Sequence, residues 1–386
     1  METILPIKKI WIAVAITCLF FLPGCGSNRD IDAPGKEVIP NPEEPDVPHT
    51  TQYRGAMIWP STFGSNAQLL GEVWNANLVR WQFISGWPDS PLDSANFEEY
   101  FEWLNDELDQ LDAMLPTLKQ YGLNVCLDIH TPPGGRDNGV MRIFRDIHWQ
   151  NAFVEIWEYL ATRYKDEEMI WGYDLVNEPN EGDRQDIPGN CLDWRGLGLR
   201  TAKAIRKIDP ETRIIFESYR YADPVGFENF TVFDPKEVPN MVYSAHMYNP
   251  HIFTHQSEDP DSDSYHYPGT VPSGQWDTDQ TYFDKEALRR ELSAIIRLQQ
   301  EQGAKIFIGE FGCVRFAPDN SAYRYYRDLI ELFEEYGWDW TYHSFREWHA
   351  FDVEIDPSIL WWTDVRGPEP TDTELMIREY FAKNKK

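Results

Sequence analysis

Eight short apolar runs alternate with longer amphipathic segments after residue 51, and this alternation constrains the fold more than any other feature of the chain. Strands that alternate with helices form a parallel sheet with helices outside it. Because eight strands match a closed barrel better than an open sheet, we predict an α/β fold, a (β/α)8 TIM barrel forming one domain over residues 51–386. The predicted strands are 55–59, 77–83, 124–129, 170–176, 213–217, 241–245, 305–309 and 338–342.

Amphipathic segments between these runs predict the helices. In the first long one, Leu104, Leu108, Leu111 and Leu115 recur every three or four residues, which is the spacing of one buried helix face. The predicted helices are 97–121, 149–164, 194–208, 284–302, 321–336 and 373–384, with a further one near 65–73.

The segment 249–282 is long for a loop in a compact domain, and it is acidic and aromatic. Loops of this length are more often functional than incidental. Tyr265, Tyr267 and Trp276 are therefore candidates for stacking on a ligand, with packing of the loop itself as the alternative.

The first fifty residues have the features of a targeting signal followed by a linker. Lys8 and Lys9 precede an apolar run, 10–22, that is too short to span a bilayer. The sequence LPGCG that ends this run resembles a bacterial lipobox, which predicts a lipoprotein signal peptide over 1–24 and lipidation at Cys25. An ordinary cleaved signal is the alternative. Residues 25–50 are rich in Pro and acids, which predicts a tether, and the chain would be an exported lipoprotein of the outer membrane or cell surface.

The charge balance excludes several kinds of partner. The chain has 35 Lys and Arg against 64 Asp and Glu, a net charge of -29. A nucleic-acid partner is excluded because its recognition needs a basic surface. The 16 Trp and 19 Tyr favour an aromatic groove for a neutral ligand, and we expect a monomer that meets the membrane only through its lipid.

Two glutamates follow non-adjacent predicted strands. Glu178 comes after the fourth strand and Glu310 after the seventh, so both should lie at the rim where the strands end. Cleavage of a glycosidic bond needs one neutral carboxyl to protonate the leaving oxygen and one ionised carboxylate to attack or to activate water. The alternative for either residue alone is an exposed side chain at the end of a strand.

Further polar residues fall at or within the predicted strands. Arg80 lies inside an apolar strand, where an Arg is rarely buried without a carboxylate partner. His246 and Tyr248 alternate along one strand and can point the same way, and His130 ends another. Each His alone would more often be a core residue. The chain has no H-E-x-x-H, no phosphate-binding loop and no metal-ligand spacing of His, so no metal and no cofactor are predicted.

At these motifs the chain resembles glycoside hydrolase family 5, whose members are (β/α)8 retaining glycosidases. The resemblance covers residues 55–348 and rests on five motifs in order along the chain, NLVR at Arg80, LDIH at His130, LVNEPN at Glu178, AHMYNP at His246 and Tyr248, and IGEFG at Glu310. It implies that Glu178 is the acid/base and that Glu310 is the nucleophile, with their carboxyl groups about 5–5.5 Å apart.

The same resemblance implies the surrounding subsite. Asn177 would bind the sugar 2-hydroxyl, Arg80 and Tyr248 would hold Glu310, and His130 and His246 would line the subsite. The family usually has a Trp floor at the end of the eighth strand, but this sequence has His343 there. Trp348 follows five residues later, either as a substitute floor or as a residue that packs the loop.

The predicted function is a retaining, endo-acting β-glycosidase that hydrolyses a β-linked polysaccharide, with β-1,4-glucan as the first choice (an endoglucanase or cellulase). A β-mannanase or a β-1,3-glucan hydrolase would use the same residues, because substrate choice lies in the rim loops. The alternative from another class is a surface protein that binds glycans without cleaving them.

Overall fold

The computed structural model describes residues 51–86, 90–257, 262–272, 279–359 and 365–385. The predicted signal peptide, the tether, Cys25 and Trp276 lie outside the described residues. Among the described residues, no helix has both the length and the apolar character needed to cross a membrane.

Eight parallel strands close into a barrel, as predicted. Each strand pairs with its neighbours in the chain, and the first strand pairs with the last. The (β/α)8 fold class is therefore confirmed. The strands are β1 Arg54–Ile58, β2 Leu78–Gln82, β3 Asn124–Asp128, β4 Ile170–Asp174, β5 Arg213–Glu217, β6 Met241–Met247, β7 Lys305–Phe311 and β8 Asp339–Phe345.

Strands β6, β7 and β8 extend beyond their predicted ends. The ladder between β6 and β7 continues through the pairs Glu310 with His246 and Phe311 with Met247. An apolar pattern does not reveal this extension, because three of the added residues, His246, Glu310 and His343, are charged or titratable. The strands therefore carry functional side chains on rigid backbone.

Helices surround the barrel in most of the predicted places. The longest, α2, begins at a capping box formed by Asn96 and Glu99 and ends at Gly122, whose φ of 67° stops the helix in the left-handed region. The helices are α1 Pro60–Phe63, α2 Phe97–Tyr121, α3 Ile147–Tyr164, α4 Trp194–Arg206, α5 His251–Thr254, α6 Lys285–Glu291, α7 Ser293–Gln302, α8 Ser321–Tyr336 and α9 Asp372–Phe381.

Two helical predictions were partly wrong. The segment 284–302 forms two helices that meet at Leu292, where ψ is -1°. Both Leu288 and Leu292 are buried, so the apolar period runs through the break and hides it. The expected helix near 65–73 is replaced by α1, a 3-10 turn and a single π turn, Leu69–Val73. Within the described residues, the 3-10 turns are Gly64–Asn66, Pro91–Ser94, Arg142–Phe144, Arg184–Asp186, Pro224–Phe227 and Pro318–Asn320.

In the part of the chain that the structure describes, two small antiparallel hairpins follow barrel strands β3 and β6. One joins Arg136–Asp137 to Val140–Met141, and the other joins Gly269–Pro272 to Gln280–Phe283. The second hairpin lies in the segment that the sequence presents as a long loop, so this segment has secondary structure of its own.

The barrel interior is divided into two layers. The lower layer, which we call the apolar plug, is a buried cluster of six residues, Leu78, Cys126, Trp171, Ile215, Val242 and Phe307. The rings of Trp171 and Phe307 lie 5.1 Å apart, and the Arg213 guanidinium sits 5.1 Å from the Trp171 ring. Each plug residue precedes a charged or titratable residue on the same strand, so the plug supports the layer above it.

Candidate active site

Glu178 and Glu310 lie together at the carboxyl ends of the strands. Glu310 belongs to β7, and Glu178 lies in the loop after β4. One carboxylate oxygen of each residue and a ring nitrogen of His246 all lie within 4.8 Å of one another. Retaining glycosidases place their two carboxyl groups about 5–5.5 Å apart, whereas inverting ones separate them by about 6.5–9.5 Å. The observed spacing is that of a retaining pair.

Arg80 is fully buried on β2 and makes contact with four carboxylates. Its Nη1 donates to Glu310 Oε1 at 2.6 Å, and its Nε donates to Asp174 Oδ2 at 2.9 Å. Its Nη2 donates to Glu217 Oε1 at 2.9 Å and lies 3.1 Å from Asp128 Oδ1. The guanidinium can be buried because every edge of its planar fork faces a negative charge.

We use the term charged layer for the six residues that lie above the apolar plug, Arg80, Asp128, Asp174, Glu217, His246 and Glu310. Two of its carboxyls shift in opposite directions. Burial raises the pKa of Asp174 well above its ordinary value, and the charge of Glu217 adds to this effect. Burial acts on Glu217 as well, but His246 and Arg80 outweigh it and lower the pKa of this carboxyl. His246 and Arg80 therefore favour an ionised Glu217, whereas burial opposes the ionisation of Asp174.

His246 bridges the two catalytic candidates. Its Nδ1 lies 3.1 Å from Glu178 Oε1 and 3.6 Å from Glu310 Oε2, while its Nε2 lies 3.1 Å from Glu217 Oε1. Burial alone would lower the pKa of His246, but the charges of Glu217 and Glu310 outweigh it and raise this pKa well above its ordinary value. The raised pKa favours the doubly protonated ring, which can donate one hydrogen bond to Glu178 and one to Glu217.

The electrostatics favour an ionised Glu310. Burial alone would raise the pKa of Glu310, but the charges of His246 and Arg80 together hold this pKa well below its usual range. Tyr248 donates its hydroxyl proton to Glu310 Oε2 at 2.8 Å. Both carboxylate oxygens therefore accept hydrogen bonds, which orients a nucleophile while keeping it negative.

The backbone at Glu178 is strained and is held by a buried carboxylate. Glu178 has a φ of 50°, in the left-handed region that residues with a side chain rarely adopt. Its backbone N–H donates to Glu217 Oε2 at 2.6 Å. This bond opposes relaxation of the loop, so Glu217 fixes the direction in which the Glu178 side chain leaves the backbone.

Asn177 is fixed on both sides of its amide. Its Oδ1 accepts from Arg80 Nη2 at 3.1 Å, and its Nδ2 lies 2.9 Å from His130 Nε2. His130 Nδ1 in turn lies 2.8 Å from Asp128 Oδ2. The Asn177 amide donates, so His130 Nε2 accepts and His130 Nδ1 carries the proton that is donated to Asp128.

At the end of β8 the structure places His343 beside the nucleophile candidate. His343 Nδ1 lies 2.6 Å from the Tyr248 hydroxyl oxygen and 3.7 Å from Glu310 Oε2. Trp348 instead packs on Phe351, with ring centroids 4.6 Å apart, and lies 6.2 Å from the His255 ring. These contacts are those of loop packing, and a role for Trp348 as a sugar floor stays a prediction.

Comparison with known sequences decides the family. A family model described as Cellulase (glycosyl hydrolase family 5) matches residues 40–347. The chain belongs to glycosyl hydrolase family 5. It is therefore a glycoside hydrolase, and the resemblance seen in its motifs is confirmed.

Relatives of this family 5 enzyme include Endoglucanase C of Acetivibrio thermocellus, which is 31% identical over 264 residues, or 62% of this chain and 74% of the relative. Cellodextrinase A of Ruminococcus flavefaciens is 24% identical over 239 residues, or 61% of this chain and 66% of the relative. Among solved structures, a glycoside hydrolase matches 86% of this chain and 99% of its own with a TM-score of 0.64 and 24% identity. Endoglucanase Cel5A of Thermotoga maritima covers 78% of this chain and 91% of its own, with a TM-score of 0.55 and 21% identity. These solved structures share the fold.

The sequence reasoning missed three acids of this glycosidase. Asp128, Asp174 and Glu217 end β3, β4 and β5, and all three are completely buried. An acid that directly ends an apolar strand was the available signal, since a buried carboxylate needs a cation. Together they explain the burial of Arg80, for which the sequence required a carboxylate partner without naming one.

One aromatic candidate in the long rim segment of the glycosidase is a packing residue. Tyr267 is buried, its hydroxyl donates to Asp328 Oδ2 at 2.8 Å, and its ring lies 5.4 Å from Tyr325. Stacking on a ligand is therefore wrong for Tyr267. Tyr265 is partly buried and its N–H donates to Gln256 Oε1 at 2.8 Å, and stacking on a ligand stays a prediction for this residue.

The group formed by Glu178, His246 and Glu310 offers three potential metal-ligand atoms. Two features disfavour a cation there. Arg80 and Tyr248 already donate to both oxygens of Glu310, and His246 carries a proton between the two carboxylates. The donor set suits proton transfer and nucleophilic attack better than metal binding.

Proposed function

We propose that this glycosidase is a retaining, endo-acting β-1,4-glucanase, with Glu310 as the nucleophile and Glu178 as the acid/base. The observation that carries the proposal is that carboxylate oxygens of these two residues lie within 4.8 Å of each other, while Arg80 and Tyr248 donate to the two oxygens of Glu310. The names of relatives support the substrate class, since Endoglucanase C is 31% identical to this chain.

The geometry supports a double displacement in two steps. Glu178 protonates the glycosidic oxygen while a Glu310 oxygen attacks the anomeric carbon, which gives a covalent ester and releases the leaving sugar. Formation of the ester removes the negative charge of Glu310. Glu178, now ionised and next to the His246 N–H, takes a proton from water, and this water attacks the same carbon. Two inversions give net retention.

We propose supporting roles for the residues around the pair. Arg80 and Tyr248 hold Glu310, and His246 links both carboxylates. Asn177 is oriented by Arg80 and His130 and has the location from which an amide would contact the sugar 2-hydroxyl. His130 acts through Asn177 in this arrangement, since its two ring nitrogens are occupied by Asn177 and Asp128.

A second substrate class has a specific observation in its favour. A structure of the related Thermotoga maritima Cel5A is described as a complex with mannotriose as substrate. The strand-end position where a Trp floor was expected holds His343, so the minus-one subsite of this protein differs from the family pattern. β-Mannan is therefore the second candidate, and β-1,3-glucan remains an alternative from the sequence.

The test is product analysis with the purified full-length chain. It is incubated with carboxymethylcellulose, β-mannan, glucomannan and a β-1,3-glucan, and reducing ends and viscosity are followed together. Endo attack on β-1,4-glucan predicts that viscosity falls well before reducing ends accumulate, and proton NMR should show the β-anomer first. Faster attack on mannan would change the substrate assignment. An α-anomer formed first would contradict retention, and binding without product would favour a non-catalytic glycan receptor.

We also propose that the protein is exported and anchored through a lipid on Cys25 at the outer membrane or cell surface, and that it acts as a monomer. The support is the sequence LPGCG and the apolar run before it. A Cys25→Ala variant should lose incorporation of labelled fatty acid and should move from the membrane to the soluble fraction. Unchanged fractionation would contradict the anchor, and light scattering on detergent-solubilised protein tests the monomer.

A further inference from the structure

The Tyr248 hydroxyl lies between two groups that compete for its single proton. Its oxygen lies 2.8 Å from Glu310 Oε2 and 2.6 Å from His343 Nδ1. A phenol has one proton to donate and lone pairs with which to accept. The proton can therefore be given to Glu310 or to His343, but not to both.

Counting protons decides which group receives it. Glu310 is ionised and can only accept, so the bond from Tyr248 to Glu310 requires the Tyr248 proton. The 2.6 Å contact to His343 is then a hydrogen bond only if His343 Nδ1 carries a proton and donates it to the Tyr248 oxygen. If Nδ1 were bare, it would accept the Tyr248 proton, and Glu310 would lose one of its two donors.

A second carboxylate stands behind the His343 ring. Glu347 Oε2 lies 3.8 Å from His343 Nε2, and Glu347 Oε1 accepts from Gln82 Nε2 at 2.9 Å. The Glu347 side chain is 10% exposed, and the Gln82 side chain is buried. The Glu347 carboxyl therefore lies nearest the ring nitrogen that does not contact Tyr248. Gln82, on β2, thus anchors the far end of a chain of contacts that reaches Glu310.

The other neighbours of His343 do not replace these contacts. Phe351 lies 5.3 Å away, between ring centroids, and offers no acceptor. Burial lowers the pKa of His255 well below its ordinary value, and the charges of His251 and His343 add to this effect. Burial therefore favours a neutral His255, and the ring nitrogens of His343 face polar atoms of Tyr248, Glu310 and Glu347.

We infer that His343 is a positioning residue that donates from Nδ1 to Tyr248 and so commits the Tyr248 hydroxyl to the nucleophile, with Glu347 and Gln82 holding the ring in place. The inference rests on the proposed role of Glu310 and deepens it. The residue at the end of β8 then acts on the nucleophile through the Tyr248 hydroxyl, and it does not form a flat floor under the sugar.

Three substitutions at His343 separate the donor from the ring. His343→Asn keeps an amide N–H close to the position of Nδ1, His343→Gln moves the N–H toward Nε2, and His343→Phe keeps a planar ring without any donor. The variants are assayed on whichever of the four glycans named above the wild type cleaves best. On this substrate His343→Phe and His343→Gln should lower kcat about 10–100-fold, while KM stays within about threefold of the wild-type value. His343→Asn should keep at least about a third of wild-type kcat. A sugar floor would give another pattern, with KM rising most in His343→Asn.

A double-mutant cycle tests the route through Tyr248. In a Tyr248→Phe background, His343→Phe should lower kcat less than about threefold, because the hydroxyl it orients is gone. Tyr380→Phe, on α9, provides the matched background in which His343→Phe keeps its full effect. Equal losses in both backgrounds would overturn the inference, as would equal losses for the Asn and Phe variants.

The readouts separate this inference from the proposed function. If the wild type releases no product from any glycan, the proposed function fails. If the wild type is active and His343→Phe is as active as the wild type, only the role of His343 fails. If His343→Phe unfolds, as seen by circular dichroism, the comparison of His343→Asn with His343→Gln carries the same test.

Discussion

The two layers of the barrel interior lie on the same strands and follow opposite physical rules. Leu78 precedes Arg80, Cys126 precedes Asp128, and Val242 precedes His246. The apolar plug stabilises the fold by burying side chains away from water, which contributes about 1.5–3 kcal/mol for each large residue. The charged layer above it buries ions. The free energy needed to remove these ions from water offsets most of the free energy gained when they pair. The same barrel thus contains a stabilising apolar plug and a preorganised charged layer whose burial is unfavourable for folding.

This contrast shows where the sequence of a barrel enzyme is free and where it is constrained. A plug residue needs only suitable volume and apolarity. A residue of the charged layer needs a particular charge and geometry, because removing one partner leaves another buried ion uncompensated. Substitutions in the plug should therefore affect stability, whereas substitutions in the charged layer should affect catalysis and, where a buried charge loses its partner, stability as well.

The largest effect should follow from loss of the nucleophile. Glu310→Ala removes the attacking oxygen, so kcat should fall by about 10⁴-fold or more, while Arg80 keeps three carboxylate partners and the fold survives. Azide should restore turnover of an aryl glycoside and give a glycosyl azide of inverted configuration. Glu379→Ala, exposed on α9, is the matched control and should be fully active. A glycosyl azide of inverted configuration formed by Glu178→Ala and not by Glu310→Ala would exchange the two roles.

Loss of the central cation should damage both function and folding. Arg80→Met leaves four carboxylates without their shared partner, which should lower the free energy of unfolding by about 3–5 kcal/mol and abolish activity. Arg297→Met, an exposed position on α7, controls for the change of side chain. Urea unfolding measures both variants. A loss below about 1 kcal/mol for Arg80→Met would mean that the charged layer rearranges without this residue.

The same contrast explains what the sequence could predict. The strands and most helices follow from apolar periodicity, which records the plug and the packing between barrel and helices. Glu178, Glu310 and His246 were predicted because they stand at strand ends in recognisable motifs. Asp174 and Glu217 were not predicted, because a linear sequence does not show which acids contact the same buried Arg. That sharing arises from barrel closure, which brings β4 and β5 to face β2 across the interior.

The helical errors have local causes. The break at Leu292 lies within an unbroken apolar pattern, so only tertiary packing reveals it. In the connection 218–240, every residue is described and only the turn Pro224–Phe227 is helical. Arg220, Tyr221 and Ala222 have φ values of 63°, 59° and 56°, which no propensity argument predicts because the residues are ordinary ones. These departures cluster in the connections of the barrel, outside its strands.

A smaller effect, on stability alone, is expected in the plug. Phe307→Leu keeps an apolar side chain of similar character but loses part of the contact with Trp171, so the free energy of unfolding should fall by about 1 kcal/mol. kcat/KM should stay within about twofold of the wild type, because the charged layer keeps its partners. A tenfold loss of kcat/KM with an unchanged KM would show that the plug positions Glu310 and does more than support it.

The smallest effect should be a pH dependence of stability that arises from His246. The raised pKa of His246 means that the folded state keeps this proton at a pH where the unfolded state, with a pKa of about 6.5, releases it. The stabilising contribution is thus fully present below about pH 6.5 and is lost as the pH rises through the folded pKa. Asp174, whose pKa is also raised, adds a decline in the same direction, and it is present in wild type and variant alike. Tm measured from about pH 6 to about pH 9 should therefore fall less in His246→Asn than in the wild type, by about 2 °C. Parallel Tm profiles for the two proteins would mean that His246 is neutral in the folded state. The hydrogen bond between His246 Nδ1 and Glu178 would then contain one proton, shared by the two groups.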